Sequence, residues 1–226
     1  MRAVWGMIGI NTAVFCAWQY ARAQRDNDLL VRFQQNATCS WENVKAGRYH
    51  TLITSAFTHH APQHFLFNMV SFYAFGSVLS SIPGVSGAHI ISLAIGSAIA
   101  GSLAWLYQQQ GQISFSRNLS VGRGGQLSQY VSSAIGASGM VMGLSGAATC
   151  LAPFTGMNMM FIPVPISLWM TTALYAAVDI FYLESGDGIG HSAHLGGAVF
   201  GAFFYFISLR RFGGIWHMMG RGMRRR

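Results

Sequence analysis

Six stretches, each about 20 residues long and nearly free of charge, leave this chain few folds to choose from. They run over about 3–21, 64–82, 86–107, 131–152, 160–183 and 190–209. A helix rises about 1.5 Å per residue and needs about 20 apolar residues to cross the hydrocarbon layer of a bilayer. The pattern predicts an all-α, polytopic membrane protein with six transmembrane helices in a single domain spanning 1–226. Charge agrees with it. Asp, Glu, Lys and Arg make up 9% of the 226 residues, against about 25% in a soluble domain. So few charges do not cover a soluble surface.

The connections are as telling as the spans. Residues 108–129 (QQQGQISFSRNLSVGRGGQLSQ) are polar and predict a loop. The first span is followed by a loop of some forty residues that includes WENVKAGRYH (41–50). A short turn around Pro153 to Gly156 joins the fourth span to the fifth, and the glycine-rich ESGDGIG (184–190) joins the fifth to the sixth. The first segment ends in Ala21-Arg22-Ala23, as a secretory signal would. Its length, its interior Asn11 and Thr12, and the single Arg2 ahead of it favour a span. No Arg- and Ser-rich presequence precedes it.

The net charge of +8 does not mark a nucleic-acid partner. Thirteen of the fourteen basic residues are arginine, and six of these (Arg210, Arg211, Arg221, Arg224, Arg225, Arg226) lie in a tail over 210–226. No basic stripe alternates with aromatics, as a nucleic-acid face requires. A basic tail after a last apolar span suits anionic lipid headgroups instead. Each side of a six-span topology carries seven basic residues, so charge does not set the orientation. Cys16, Cys39 and Cys150 lie far apart and form neither a disulfide framework nor a metal-binding pattern. No metal or other cofactor is expected, and the oligomeric state is not legible.

Polar side chains within spans are costly and point to function. Here they are His64, Asn68, His89, Ser138, Ser145, Asp179, His191 and His194. Spans two, four and six run in one direction, so residues near their N-terminal ends share a depth. His64 and Asn68 open span two, Ser138 is expected about two turns into span four, and His194 about one turn into span six. One hydroxyl, two imidazoles and an amide thus gather below one membrane face.

That set suits acyl transfer. A serine hydroxyl becomes a useful nucleophile when an imidazole takes its proton. Donors must then meet the oxyanion that forms. His64 and Asn68, four residues apart, face the same way on a helix. No carboxylate lies at this depth on spans two, four or six, which predicts a Ser138–His194 dyad without an aspartate. Gly197-Ala-Val-Phe-Gly201 is a GxxxG face that lets two helices approach closely.

Three motifs then resemble the rhomboid family of intramembrane serine proteases. They are His64-Phe-Leu-Phe-Asn68 for HxxxN, Gly136-Ala-Ser138-Gly139 for GxSG, and Ala193-His194-Leu-Gly-Gly197 for AHxxG. Residues 47–60, 135–139, 161–167 and 191–198 are similar to the mitochondrial branch. The resemblance implies a six-helix rhomboid bundle with Ser138 as nucleophile and His194 as base. It implies His64 and Asn68 as oxyanion stabilisers and single-span membrane proteins as substrates. It also implies the mitochondrial inner membrane as location, span five as a lateral gate and ESGDGIG as a cap. Mitochondrial members often carry an extra helix before the core, and none is visible here.

Several residues compete for these roles. Gly143-Leu-Ser145-Gly146 is a second GxSG, but Ser145 lies about 10 Å deeper than Ser138 and reads as packing. His191 sits one turn before His194 and reads as lining a water path. Asp179, near the end of span five, is expected to meet an interfacial partner. The chain has no HExxH, and Asp179 with Asp187 does not make an aspartyl-protease pattern. A non-enzymatic relative that binds membrane clients is the main alternative; such relatives typically lose the serine or the histidine, and both are present.

Overall fold

A computed structural model describes residues 1–121, 133–159, 162–185 and 188–223. Within these, 112–121, 159, 162–163 and 220–223 are described by backbone alone. Part of the predicted polar loop (122–129), Gly186 and Asp187 of the expected cap, and Arg224 to Arg226 of the tail lie outside the described residues.

The chain is mostly helical, and most of the predicted spans coincide with helices. Helix α1 covers Arg2–Ala23. Helix α5 covers Pro62–Ser81 and opens on a proline, whose missing N–H costs nothing in a first turn. Between them the predicted forty-residue loop folds into α2 (Asn27–Asn36), α3 (Trp41–Lys45) and α4 (Thr51–Thr54), then a 3₁₀ turn, Ser55–Phe57. Local capping explains two of these. Asp26 Oδ1 accepts the Leu29 N–H at 3.0 Å, and Ser40 Oγ accepts the Asn43 N–H at 3.2 Å. Each cap satisfies a backbone donor that the helix itself leaves open.

Helix α6 runs over Gly87–Val121 and so continues through the stretch predicted as loop after residue 107. Polarity alone does not end a helix, because Gln, Leu and Arg are good helix formers. Helix α7 (Ser138–Leu151) is shorter than predicted and starts at the serine itself. Gly136 has φ of +114°, outside the helical region. Ala134 and Cys39 exchange backbone hydrogen bonds at 2.9 and 2.8 Å, which holds the chain extended just before the helix.

The fifth predicted span is divided. Residues Gly156–Met159 (β1) and Ile162–Ser167 (β2) form an antiparallel hairpin with Gly156 opposite Ser167, and α8 covers only Leu168–Phe181. Pro163 and Pro165 supply the reason. Each lacks an N–H and turns the residue before it away from the helical region.

Helix α9 covers His191–Phe204 and runs on through a π turn, Tyr205–Leu209, and a 3₁₀ turn, Arg210–Phe212. Within the predicted tail lies another helix, α10 (Ile215–Met223). The Tyr205 hydroxyl donates to the Gly213 carbonyl and accepts the Trp216 N–H, each at 2.9 Å, which fixes the start of α10. Among the described residues, Gly87–Gly111 and His191–Phe212 are long and apolar enough to cross a membrane; Ser138–Leu151 and Leu168–Phe181 are apolar but shorter.

The centre is α9 wedged between α6 and α7, with backbones in contact. A methyl group added at Gly197 would overlap the Gly139 carbonyl oxygen, and one at Gly201 the Gly143 carbonyl oxygen. On the other side, a methyl at Gly196 would lie 2.8 Å from the Ala100 carbonyl oxygen. Glycine is required here to let the main chains touch. The apolar core, including Met140, Leu144, Phe72, Phe75 and Leu93, gathers around these helices.

Candidate active site

Ser138 is the first residue of α7, so its N–H and those of Gly139 and Met140 have no acceptor within the helix. Backbone donors at a helix start favour a nearby negative charge. The two preceding N–H groups are already engaged: Gly136 donates to the Ser55 carbonyl at 2.9 Å, and Ala137 to His59 Nε2 at 3.1 Å. Ser138 is partly exposed, while Ala137 and Gly139 are buried.

His194 stands in the first turn of α9, its N–H bonded to the Gly190 carbonyl at 3.1 Å. It is held from below by the Gly139–Gly197 contact. A methyl at Gly139 would lie 3.5 Å from the Ala193 carbonyl oxygen, so the chain neighbours of Ser138 and His194 face each other at one level. Among the described residues no hydrogen bond joins the Ser138 hydroxyl to the His194 ring. Catalytic contacts of this kind are often loose until substrate is bound.

The ring of His194 is nonetheless oriented. Its Nδ1 donates to Asp179 Oδ1 at 2.8 Å, and His191 Nδ1 donates to the same oxygen at 2.7 Å. Asp179 is buried, with 5% of its surface exposed. This corrects one sequence expectation: a carboxylate does reach the histidine, and the partners that Asp179 meets are His191 and His194. Spans two, four and six run in one direction. Span five runs the other way, so its C-terminal end, which carries Asp179, reaches the face where α9 begins. With Nδ1 committed as a donor, Nε2 of His194 is left as a lone-pair acceptor.

Around this pair, Gln108 of α6 joins two elements. Its Oε1 accepts from the Ser192 hydroxyl at 2.6 Å and its Nε2 donates to the Leu183 carbonyl. His191 lies with its ring nearly parallel to Tyr182, centroids 6.0 Å apart. His191 therefore belongs to a packed, hydrogen-bonded corner.

His64 lies against the turn that leads to the serine. A methyl at Gly136 would be 2.6 Å from His64 Cε1 and 3.0 Å from Nε2. Asn68 is buried, and its side-chain amide donates to the His64 carbonyl at 3.0 Å. That bond uses one of its two N–H groups. His59, within the 47–60 stretch, has no role assigned from the sequence. It is fully buried, and burial followed by the charge of His64 pushes its imidazole down to about 4. A neutral ring is what accepting the Ala137 N–H requires.

Residues 46–211 match the Rhomboid domain family. The chain belongs to the rhomboid family. This rhomboid is 30% identical over 210 residues to "Rhomboid protein 1, mitochondrial" of Saccharomyces cerevisiae, covering 91% of the chain and 53% of that protein. It is 31% identical over 209 residues to "RHOMBOID-like protein 12, mitochondrial" of Arabidopsis thaliana, covering 88% and 56%. It is 28% identical over 206 residues to "Presenilin-associated rhomboid-like protein A, mitochondrial" of Danio rerio, covering 90% and 47%. The rhomboid chain thus spans about half the length of these curated relatives.

The second GxSG of this rhomboid serves a different end. Ser145 is fully buried and shares a hydrogen bond with Thr172 of α8 at 2.6 Å, and Thr172 in turn with Thr149 at 2.7 Å. That chain of hydroxyls ties α7 to α8. The one group among the described residues whose His, Cys, Asp or Glu donors could surround a metal ion is Asp179, His191 and His194, with donor atoms within 4.8 Å of one another.

Proposed function

We propose that this rhomboid is an intramembrane serine endopeptidase that cleaves transmembrane segments of single-span membrane proteins. Ser138 is the nucleophile, and His194 Nε2 takes its proton. Asp179 acts as a positioning residue, holding the ring in the tautomer that leaves Nε2 open. The N–H groups at the start of α7, with His64 and Asn68, receive the oxyanion. The observation that carries this reading is the 2.8 Å bond from His194 Nδ1 to a buried aspartate, beside glycines that bring the serine and histidine helices into backbone contact.

The fold implied is a bundle of six membrane-crossing helices, α1, α5, α6, α7, α8 and α9, with the hairpin before α8. The names of the relatives support a mitochondrial membrane, and the inner membrane is the compartment we assign. Anionic lipid at the membrane surface would meet Arg210, Arg211 and the arginines that follow.

The test is covalent labelling of the full chain in detergent by a fluorophosphonate or a serine-directed isocoumarin. Labelling lost in Ser138→Ala and retained in Ser145→Ala supports the protease. A folded protein that takes no label supports the second reading, a silent rhomboid that binds membrane clients.

A further inference from the structure

From the corner shared by Asp179, His191 and His194 we infer that this rhomboid binds one divalent transition-metal ion of the zinc class, and that the bound ion switches the proposed protease off. The inference rests on the catalytic reading for its consequence but not for its binding site.

Two imidazoles and a carboxylate are a donor set that zinc favours, with a solvent ligand in the fourth position. They come from two helices, α8 and α9, so the site is preassembled by the fold. All three donor atoms lie within 4.8 Å of one another. The Nδ1 atoms of His191 and His194 stand 2.7 and 2.8 Å from Asp179 Oδ1. Tetrahedral ligands about 2.0–2.1 Å from zinc are about 3.3 Å apart. The carboxylate and rings need to separate by about half an ångström and donors as far apart as 4.8 Å to close toward that spacing, which rotation about side-chain bonds supplies. Asp179 and His191 are each 5% exposed and His194 is partly exposed, so an ion reaches the corner from the His194 side. The buried carboxylate gives a dication an anionic partner where it now has two N–H dipoles.

The consequence follows from proton bookkeeping on the ring. A metal ion can bond to Nδ1 only through its lone pair, so the proton that each Nδ1 now gives to Asp179 moves to the Nε2 of its own ring by way of water. The imidazole stays neutral and no proton is lost overall. His194 then presents N–H, not a lone pair, at Nε2, and that nitrogen no longer accepts the Ser138 proton. The same three side chains that orient the base in the metal-free state would disable it in the metal-bound state.

Cobalt(II) added to the full chain in detergent tests the site without any need for turnover. The expected result is one equivalent of tetrahedral cobalt absorption, free of thiolate charge-transfer bands and displaced by zinc. It should be lost in His191→Ala and in the near-isosteric Asp179→Asn at unchanged far-UV dichroism, and kept in Ser138→Ala. Absent absorption in the wild type overturns the site, as does absorption retained in both His191→Ala and Asp179→Asn. For the switch, fluorophosphonate labelling should fall roughly a hundredfold in zinc-saturated protein, the scale of losing a general base, and recover on chelation. Unchanged labelling of zinc-saturated protein overturns the switch. A cobalt signal in a protein that never takes the label, with or without chelator, would separate failure of the protease reading from failure of the metal site.

Discussion

The carboxylate of Asp179 accepts the Nδ1 proton of His194 at 2.8 Å from a helix that runs opposite to the one carrying His194. An antiparallel neighbour thus supplies what the histidine's own helix does not. Replacing Asp179 by Asn removes the charge and permits the wrong ring tautomer. Turnover should fall by between tenfold and roughly 10⁴-fold, the upper figure being the loss when a serine-protease aspartate is amidated. The KM should change little. Kinetics of a transmembrane peptide substrate over a pH series would check this, and an unaltered kcat would remove the positioning role.

Legibility in the sequence was uneven, for physical reasons. Hydrophobic segments located α1, α5, α6 and α9 because burial in lipid or core needs long apolar runs. The same signal misplaced the starts of α7 and α8, where Gly136 and the Pro163/Pro165 pair overrule hydrophobicity through backbone geometry. Ser138, His194, His64 and Asn68 were visible because polar groups stand out in apolar runs. Asp179 stood out too, but its partner depended on comparing depths across antiparallel helices. His59 lay inside the resembling stretch 47–60 but carried no sign of a role, since a histidine in a polar loop is ordinary until the fold buries it.

Glycine at 197 and 201 can be tested directly. A methyl at either site would overlap a carbonyl oxygen of α7, and backbone cannot yield as a side chain can. Gly197→Ala should destabilise the protein by about 1–3 kcal/mol, the usual range for overpacking, and should lower labelling of Ser138 by shifting α9 away from α7. Gly9→Ala, with open space at its Cβ, is the control. Thermal unfolding followed by tryptophan fluorescence would read both; equal midpoints would mean that the contact tolerates a methyl.

Removal of the His64 ring should reduce turnover by roughly 10²–10³, as expected for one oxyanion donor, with substrate binding retained. Asn68→Ala should act in the same direction, and it also frees the His64 carbonyl. Single-turnover measurements separate these effects from binding. Unchanged rates in both variants would take the oxyanion role from this helix.

His59 gives a pH dependence whose direction is fixed. Its imidazole is lowered from 6.5 to about 4, so the folded state binds this proton less readily than the unfolded chain. The stabilisation is present in full above pH 6.5 and is lost as pH falls toward about 4. The Ala137 N–H then loses its acceptor, next to the serine. Unfolding midpoints measured across that window should decline with acid in the wild type and decline less in His59→Gln. Parallel slopes would show that this ring does not titrate as described.

The hairpin ahead of α8 has a consequence for the surrounding lipid. With 14 residues, α8 is about 21 Å long, against a hydrocarbon slab about 30 Å thick. If α8 crosses the bilayer as proposed, the bilayer along this flank would pinch inward or the strands would sink into it, at a modest cost for each ångström of mismatch. A substrate helix drifting past would there meet a thinner apolar layer, where its own ends come closer to water and its last turns loosen first.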